Sequence, residues 1–187
     1  MRKTRVRLET RRLVVRDAVP EDAAFIASLW SDPRVMRFVG FPHGIPTAAT
    51  DVPRRIERGR GDDVLLIAEL CVNGEPVGQC MLGEPSPSGV SEPDIKLHPS
   101  FWGRGYGREL WAALVDQAFL RTTCVIVRGT PNVANIASIR MQESAAMKRV
   151  GEGVAGFPAL MRDFTTPVPH YVYEISRAEW MRRASAG

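Results

Sequence analysis

The chain has 187 residues, 44% hydrophobic and 25% charged, with a formal net charge of +4. This is the balance of an ordinary soluble globular protein, and the length suits one domain over 1–187 that needs no disulfide or metal to support its core. The mild positive charge favours an anionic ligand such as a nucleotide but is too weak to imply nucleic acid.

Residues 5–16 alternate as a strand, with Val6, Leu8, Leu13 and Val15 set among arginines. Pro20 at an N1-like position, with Glu21 and Asp22 in the first turn, predicts a helix whose buried face is Phe25, Ile26, Leu29 and Trp30. Asp32-Pro33 ends it. A loop follows over 41–50, then a short helix near 51–59 with Asp51 placed to cap it. Asp63 to Val72 and Val77 to Leu82 read as a hairpin around Asn73-Gly74. Residues 83–92 are a loop, and a strand begins near Asp94. A helix over about 105–120 carries Leu110, Trp111, Leu114, Val115, Ala118 and Phe119 on one stripe. Cys124 to Val127 is a strand, Asn132 or Asn135 caps a helix to about Ala145, and Met147 to Val150 is a strand. Gly151 to Pro169 reads as a loop, His170 to Ile175 as the last strand, and Ser176 to Glu179 as a capping box opening a terminal turn with Trp180.

The three cysteines, Cys71, Cys80 and Cys124, are far apart and lack metal-ligand spacing, so they read as free thiols in a reducing compartment. No metal site is expected. No apolar run approaches the roughly eighteen residues of a membrane span, and no signal-peptide core opens the chain. The expectation is a cytoplasmic protein with no membrane partner.

The densest chemistry lies in Asp94-Ile95-Lys96-Leu97-His98-Pro99-Ser100-Phe101-Trp102-Gly103-Arg104-Gly105-Tyr106-Gly107. A strand, a proline stop, a glycine-rich turn and a helix follow in order, which sets free backbone N–H groups at the positive end of a helix, as a phosphate requires. The turn is not a Walker loop, because no Gly-Lys-Ser/Thr closes it. It is not the dinucleotide fingerprint either, because Arg108 and Leu110 stand where glycine is needed.

Four segments in order resemble the Gcn5-related N-acetyltransferases, and within them the branch typified by ribosomal-protein N-terminal acetyltransferases. Leu8 to Arg16 followed by Glu21-Asp22 is similar to that branch's opening signature. Trp102-Gly103-Arg104-Gly105-Tyr106-Gly107 resembles the acetyl-CoA pyrophosphate loop, with Trp102 where many members carry Gln or Arg. Asn135-Ile136-Ala137-Ser138 resembles the second cofactor motif, and Pro169 to Tyr173 with Ser176 to Trp180 the closing strand and turn.

The resemblance implies an α/β (α+β) fold with a central mixed, mostly antiparallel sheet, splayed between its fourth and fifth strands and flanked by helices on both faces. A bulge in the fourth strand would leave the backbone near Ile95, Lys96 and Leu97 free, and pantetheine would lie there as a pseudo-strand. The amides of Gly103 to Arg108 would hold the pyrophosphate, with Arg104 and Arg108 supplying charge. Asn135 would bond the pantetheine arm, and Ser138 would sit near the thioester sulfur. Acetyl-CoA is the implied cosubstrate and an amine the implied acceptor, with a homodimer open.

Acetyl transfer requires a neutral amine, a polarised carbonyl and a protonated leaving thiolate. An α-amine, with a pKa of about 8, needs less help than a lysine at about 10.4. The backbone N–H near Ile95 is the expected polariser. Ser138 is the candidate proton donor, directly or through water, against the plainer reading of a cap or pantetheine hydrogen bond. Many relatives carry a tyrosine four residues later, where this chain has Gln142, which cannot act as an acid; Ala146 stands where the family has a helix-ending glycine. Glu92 and Asp94 are candidate bases, with solvated strand ends the alternative. His98 reads as structural or exposed, His43 and His170 as ordinary surface or core residues that could instead line the acceptor pocket, and Tyr171 and Tyr173 as sheet packing first. The acceptor pocket is expected from 40–50, 83–92 and 151–168, including Phe157, Met161, Arg162, Asp163 and Phe164.

Two other classes compete. One is an acyl-CoA-binding sensor that keeps the fold but not the turnover. The other is a nucleic-acid binder built on Arg2, Lys3, Arg5, Arg7, Arg11 and Arg12, ranked third because that arm lacks an aromatic platform.

Overall fold

The structure is a computed structural model that describes residues 6–58 and 64–185. Among them, strands β1 (Val6–Glu9), β2 (Leu13–Asp17), β3 (Leu66–Leu70), β4 (Pro76–Met81) and β6 (Asp94–Leu97) form one antiparallel sheet in that order. The second sheet runs β5 (Val90–Ser91), β7 (Ile126–Gly129), β9 (Val168–Ser176), β8 (Lys148–Ala155), and its β5–β7 pair is parallel. The helices are α1 (Ala23–Ser31), α2 (Pro33–Met36), α3 (Val52–Arg58), α4 (Tyr106–Arg121), α5 (Ile136–Ser144) and α6 (Arg177–Ala184). The mixed, helix-flanked architecture is the one expected.

The two sheets part where the chain passes from β5 to β6. The expected bulge is instead a clean break at Glu92-Pro93: residues 90–91 pair with β7, and residues 94–97 pair with β4. Pro93 has no N–H to offer a ladder, which favours a break at this point. Gly83, at a φ of 70°, backs directly onto the Glu92-Pro93 peptide, where any Cβ would collide with backbone.

The apolar stripe of α4 spans the divergence. Leu110 and Leu114 pack with Leu13, Val15, Leu66 and Val77 of the first sheet. Trp111, Val115, Ala118 and Phe119 pack with Val127, Met147, Tyr173 and Ile175 of the second. Ile95 touches both clusters. The other face of the first sheet is covered by α1 and α3 through Ile26, Val52, Leu65 and Ile67. Cys80 is fully buried among the first sheet's core residues, and burial pushes its thiol well up. Cys71 and Cys124 are also free.

Several expected boundaries move. Residues 5–16 are two strands joined by a turn in which Thr10 Oγ1 accepts the Leu13 N–H at 2.9 Å. Asp51 ends a 3-10 turn (49–51) before α3. The strands of the Asn73-Gly74 hairpin stop at Leu70 and resume at Pro76, closing through Gly74 N–H to Leu70 O at 2.8 Å, so the loop is longer than two residues. The strand expected at Cys124 to Val127 is shifted to 126–129. The loop expected from Gly151 is strand as far as Ala155, paired to β9. The terminal turn is a full helix, α6, opened by the expected capping box. Asp63, residue 59, Arg2, Lys3 and Arg5 lie outside the described residues.

Candidate functional site

The break at Pro93 leaves β6 as an edge, and its hydrogen-bond parity decides what that edge offers. His98 N–H donates to Val77 O at 2.9 Å, so Lys96 and Asp94 also point their backbone groups at β4. Ile95 and Leu97 therefore present theirs to the gap between the sheets. The Leu97 carbonyl accepts the Trp102 indole N–H at 2.9 Å, which leaves Ile95 as the open position.

The glycine-rich turn follows within one short 3-10 segment, Pro99–Phe101. His98 is structural as expected: its Nδ1 accepts the Ser100 N–H at 3.3 Å and its ring lies 6.2 Å from Phe25. Gly103 and Gly105 adopt left-handed φ angles of 74° and 80°, and Gly105 opens α4 without a side-chain cap. The first helical bond of α4 runs from Glu109 N–H to Gly105 O at 3.2 Å, so the amides of Tyr106, Gly107 and Arg108 precede it and face outward. Arg104 and Arg108 are exposed, and Arg104 lies over the Phe101 ring at 5.8 Å. Gly107 nestles against Leu97 and Met141, where a Cβ would stand 3.3 Å and 3.6 Å from them, and so joins β6, α4 and α5.

Sequence patterns did not reveal what holds this turn. Arg12 Nε donates to Glu109 Oε2 at 2.7 Å, its backbone N–H donates to Glu109 Oε1 at 2.8 Å, and its Nη1 donates to the Arg104 carbonyl at 3.0 Å. Thr10 Oγ1 donates to Glu109 Oε1 at 2.6 Å. Burial pushes the Glu109 carboxyl up, but these hydrogen bonds outweigh it and hold the group below its ordinary range. The only local signal was an acidic residue in the first turn of α4.

On α5, Asn135 caps the helix by accepting the Ser138 N–H on Oδ1 at 3.2 Å, which leaves its Nδ2 to donate elsewhere. The Ser138 hydroxyl is half-buried and has no hydrogen-bond partner among the described residues. Asn132 is not the cap; it turns the chain one step earlier, accepting the Ala134 N–H at 2.9 Å. Gln142 is buried with its amide packed on the backbone of Gly129, where any Cβ would collide with it.

The two candidate bases are both ion-paired. Asp94 contacts Lys96, whose side chain is only 14% exposed, and both project from the face opposite Ile95 and Leu97. On that face Gln79, opposite Lys96, accepts the Trp30 indole N–H at 2.6 Å. Glu92 is 59% exposed and meets Arg128 at 3.4 Å, and Arg128 is shared with Glu174 at 2.7 Å.

Of the other candidates, His43 is exposed on its loop, and the His170 ring lies over Gly153 with Nδ1 at 3.1 Å from Val168 O. Tyr171 lies under the Arg149 guanidinium at 3.5 Å, and Tyr173 donates its hydroxyl to Glu143 at 3.1 Å, so both serve packing. Burial, then Glu143, pushes the Tyr173 phenol up. The 40–50 and 151–168 segments meet through Thr166 N–H to Gly40 O at 2.9 Å and through the Phe41 and Phe157 rings at 5.3 Å. The middle of the 83–92 segment is tied instead to the residue before β7, by Val125 N–H to Gly89 O at 2.8 Å, and its two ends, Gly83 and Glu92, meet at the divergence. Among the described residues no group of three metal-ligating side chains is assembled, and no helix is long and apolar enough to cross a membrane.

The model of the acetyltransferase (GNAT) domain matches residues 12–148. An uncharacterized N-acetyltransferase, p20 of Bacillus licheniformis, is 25% identical over 173 residues, covering 84% of this chain and 86% of that protein. Among solved structures, a GNAT-family acetyltransferase from Bacillus anthracis superposes with a TM-score of 0.77 at 20% identity, covering 92% of this chain and 99% of that one. Spermidine N-acetyltransferase from Vibrio cholerae, in complex with CoA and spermine, gives 0.73 at 17% identity, covering 90% and 98%.

Proposed function

The chain belongs to the acetyltransferase (GNAT) family, and from that premise we propose that it moves the acetyl group of acetyl-CoA directly to a primary amine within a ternary complex. The observation that carries this reading is the open backbone of Ile95 in line with the glycine turn at the start of α4. A cofactor with phosphates at one end and an amide-bearing arm at the other fits that pairing: anions suit the outward amides of 103–108, and an amide chain suits a free strand edge. When bound, acetyl-CoA supplies an activated acyl group on a good leaving thiolate.

The protein's own groups divide the remaining work. Trp102, Gly103, Arg104, Gly105, Tyr106, Gly107 and Arg108 hold the pyrophosphate, and Asn135 Nδ2 and the open backbone of Ile95 and Leu97 orient the pantetheine arm; Lys96, expected to join them, turns its backbone to β4 and serves only to hold the strand. The Ile95 N–H donates to the acetyl oxygen, where negative charge develops as the amine attacks. Ser138 returns a proton to the thiolate, directly or through water. Glu92 or Asp94 takes the proton of the arriving ammonium, and a cationic acceptor competes for these carboxylates with their present partners, Arg128 and Lys96. A crystallised relative from Vibrio cholerae has spermine bound, which supports a small-molecule amine as one acceptor class. The resemblance of Leu8 to Arg16 and of Ser176 to Trp180 to the ribosomal-protein branch supports the other, a protein N-terminus. Such an enzyme belongs in the cytoplasm, as one domain over 1–187.

One observation favours a second reading, an acyl-CoA sensor: Gln142 is buried against Gly129, so α5 carries no acid where many relatives have tyrosine. Thiol release from acetyl-CoA, measured across polyamines, aminoglycosides, amino acids and peptide N-termini, separates the two. Turnover with at least one amine supports transfer; slow hydrolysis with no acceptor would favour the sensor.

A further inference from the structure

Among the described residues, the hydrogen bonds and ring contact of the Arg12 side chain fall on residues 104–109. Its Nη1 holds the Arg104 carbonyl at 3.0 Å, its Nε holds Glu109 at 2.7 Å, and its guanidinium stacks 4.4 Å from the centre of the Tyr106 ring. Thr10 and the Arg12 backbone N–H bind the other Glu109 oxygen. These groups answer two physical problems of a phosphate turn. Glycines at left-handed φ make the turn pliable, and a pliable turn loses affinity when it orders on a ligand. A carbonyl or carboxylate facing the site would also repel the anion, and here both Arg104 O and Glu109 are turned onto a cation.

From this geometry we propose that Arg12 is a positioning residue for acetyl-CoA. Acting through the Arg104 carbonyl and Glu109, it pre-sets the glycine turn so that the N-terminal hairpin becomes part of the donor site. The proposal rests on the reading of 103–108 as the pyrophosphate cradle, so its test must tell the two apart.

Calorimetric titration of the full chain with coenzyme A does so, with Arg108→Glu as the probe of the cradle itself. Arg12→Ala raises the Kd about ten-fold or more, the value of a charge-assisted hydrogen bond. Arg12→Lys keeps a cation beside Glu109 but not the fork, and it restores the melting temperature without restoring affinity. If Arg12→Ala and Arg12→Lys both bind coenzyme A as the parent does while Arg108→Glu weakens it, Arg12 is merely structural and the inference is overturned. If Arg108→Glu also leaves affinity unchanged, the cradle reading beneath it fails.

Discussion

Ser138 and Ala146 sit at opposite ends of α5, and each makes a separate claim. The Ser138 hydroxyl is uncommitted among the described residues while its N–H is held by Asn135, an arrangement that fixes the residue and leaves its proton free. Ser138→Ala therefore lowers kcat about ten-fold or more, the low end of what one proton donor contributes, with coenzyme A affinity retained. Unchanged turnover removes Ser138 from the chemistry. Ala146 has a φ of 60°, alone among the described non-glycine residues in the left-handed region. Its Cβ is a steric burden there, so Ala146→Gly stabilises the fold by about 1 kcal/mol in chemical denaturation. Both residues were singled out through the family resemblance, Ser138 within the second cofactor motif and Ala146 where the family has a helix-ending glycine. The partners of Glu92 were not: Arg128 and Glu174 come from strands distant in sequence, and no local pattern links them to it.

The terminal helix gives a pH-dependent prediction. Glu179 accepts from Lys148 at 2.7 Å and from the Ser176 N–H and hydroxyl at 3.0 Å and 2.8 Å. Lys148 first, then the Ser176 bonds, hold its carboxyl down to about 2. The folded state thus binds fewer protons than the unfolded chain between pH ~4.5 and ~2. The stability this supplies is complete above that window and is lost as pH falls through it. Glu179→Gln shallows the acid side of a denaturation-versus-pH curve there, and a slope identical to the parent's would refute the assignment. The capping box was readable because its two ends are three residues apart. The extent of β8 was not, since Gly151 and Gly153 erase the strand pattern. A Cβ at Gly153 would stand 3.0 Å from the His170 ring, a tight contact that only pairing with β9 reveals. The first hairpin was hidden for a similar reason: Thr10 builds its turn without glycine or proline.

At the scale of the molecule, two sheets diverge at Pro93, and α4 fills the wedge on one side with a stripe that was plain in its 3.6-residue period. The divergence itself was expected only through family resemblance, and it takes a different form: a proline break rather than a bulge within one strand. The Arg12–Glu109 link joins residues far apart in sequence and could emerge only from the folded chain. On the proposed function, one ligand runs from the glycine turn to the open Ile95 edge. Amide chemical shifts of isotope-labelled protein titrated with coenzyme A test this most directly. The amides of Ile95, Gly103, Gly105 and Gly107 are expected to move most, while those of the Asn73-Gly74 hairpin stay put. Movement elsewhere with these four amides silent would contradict it.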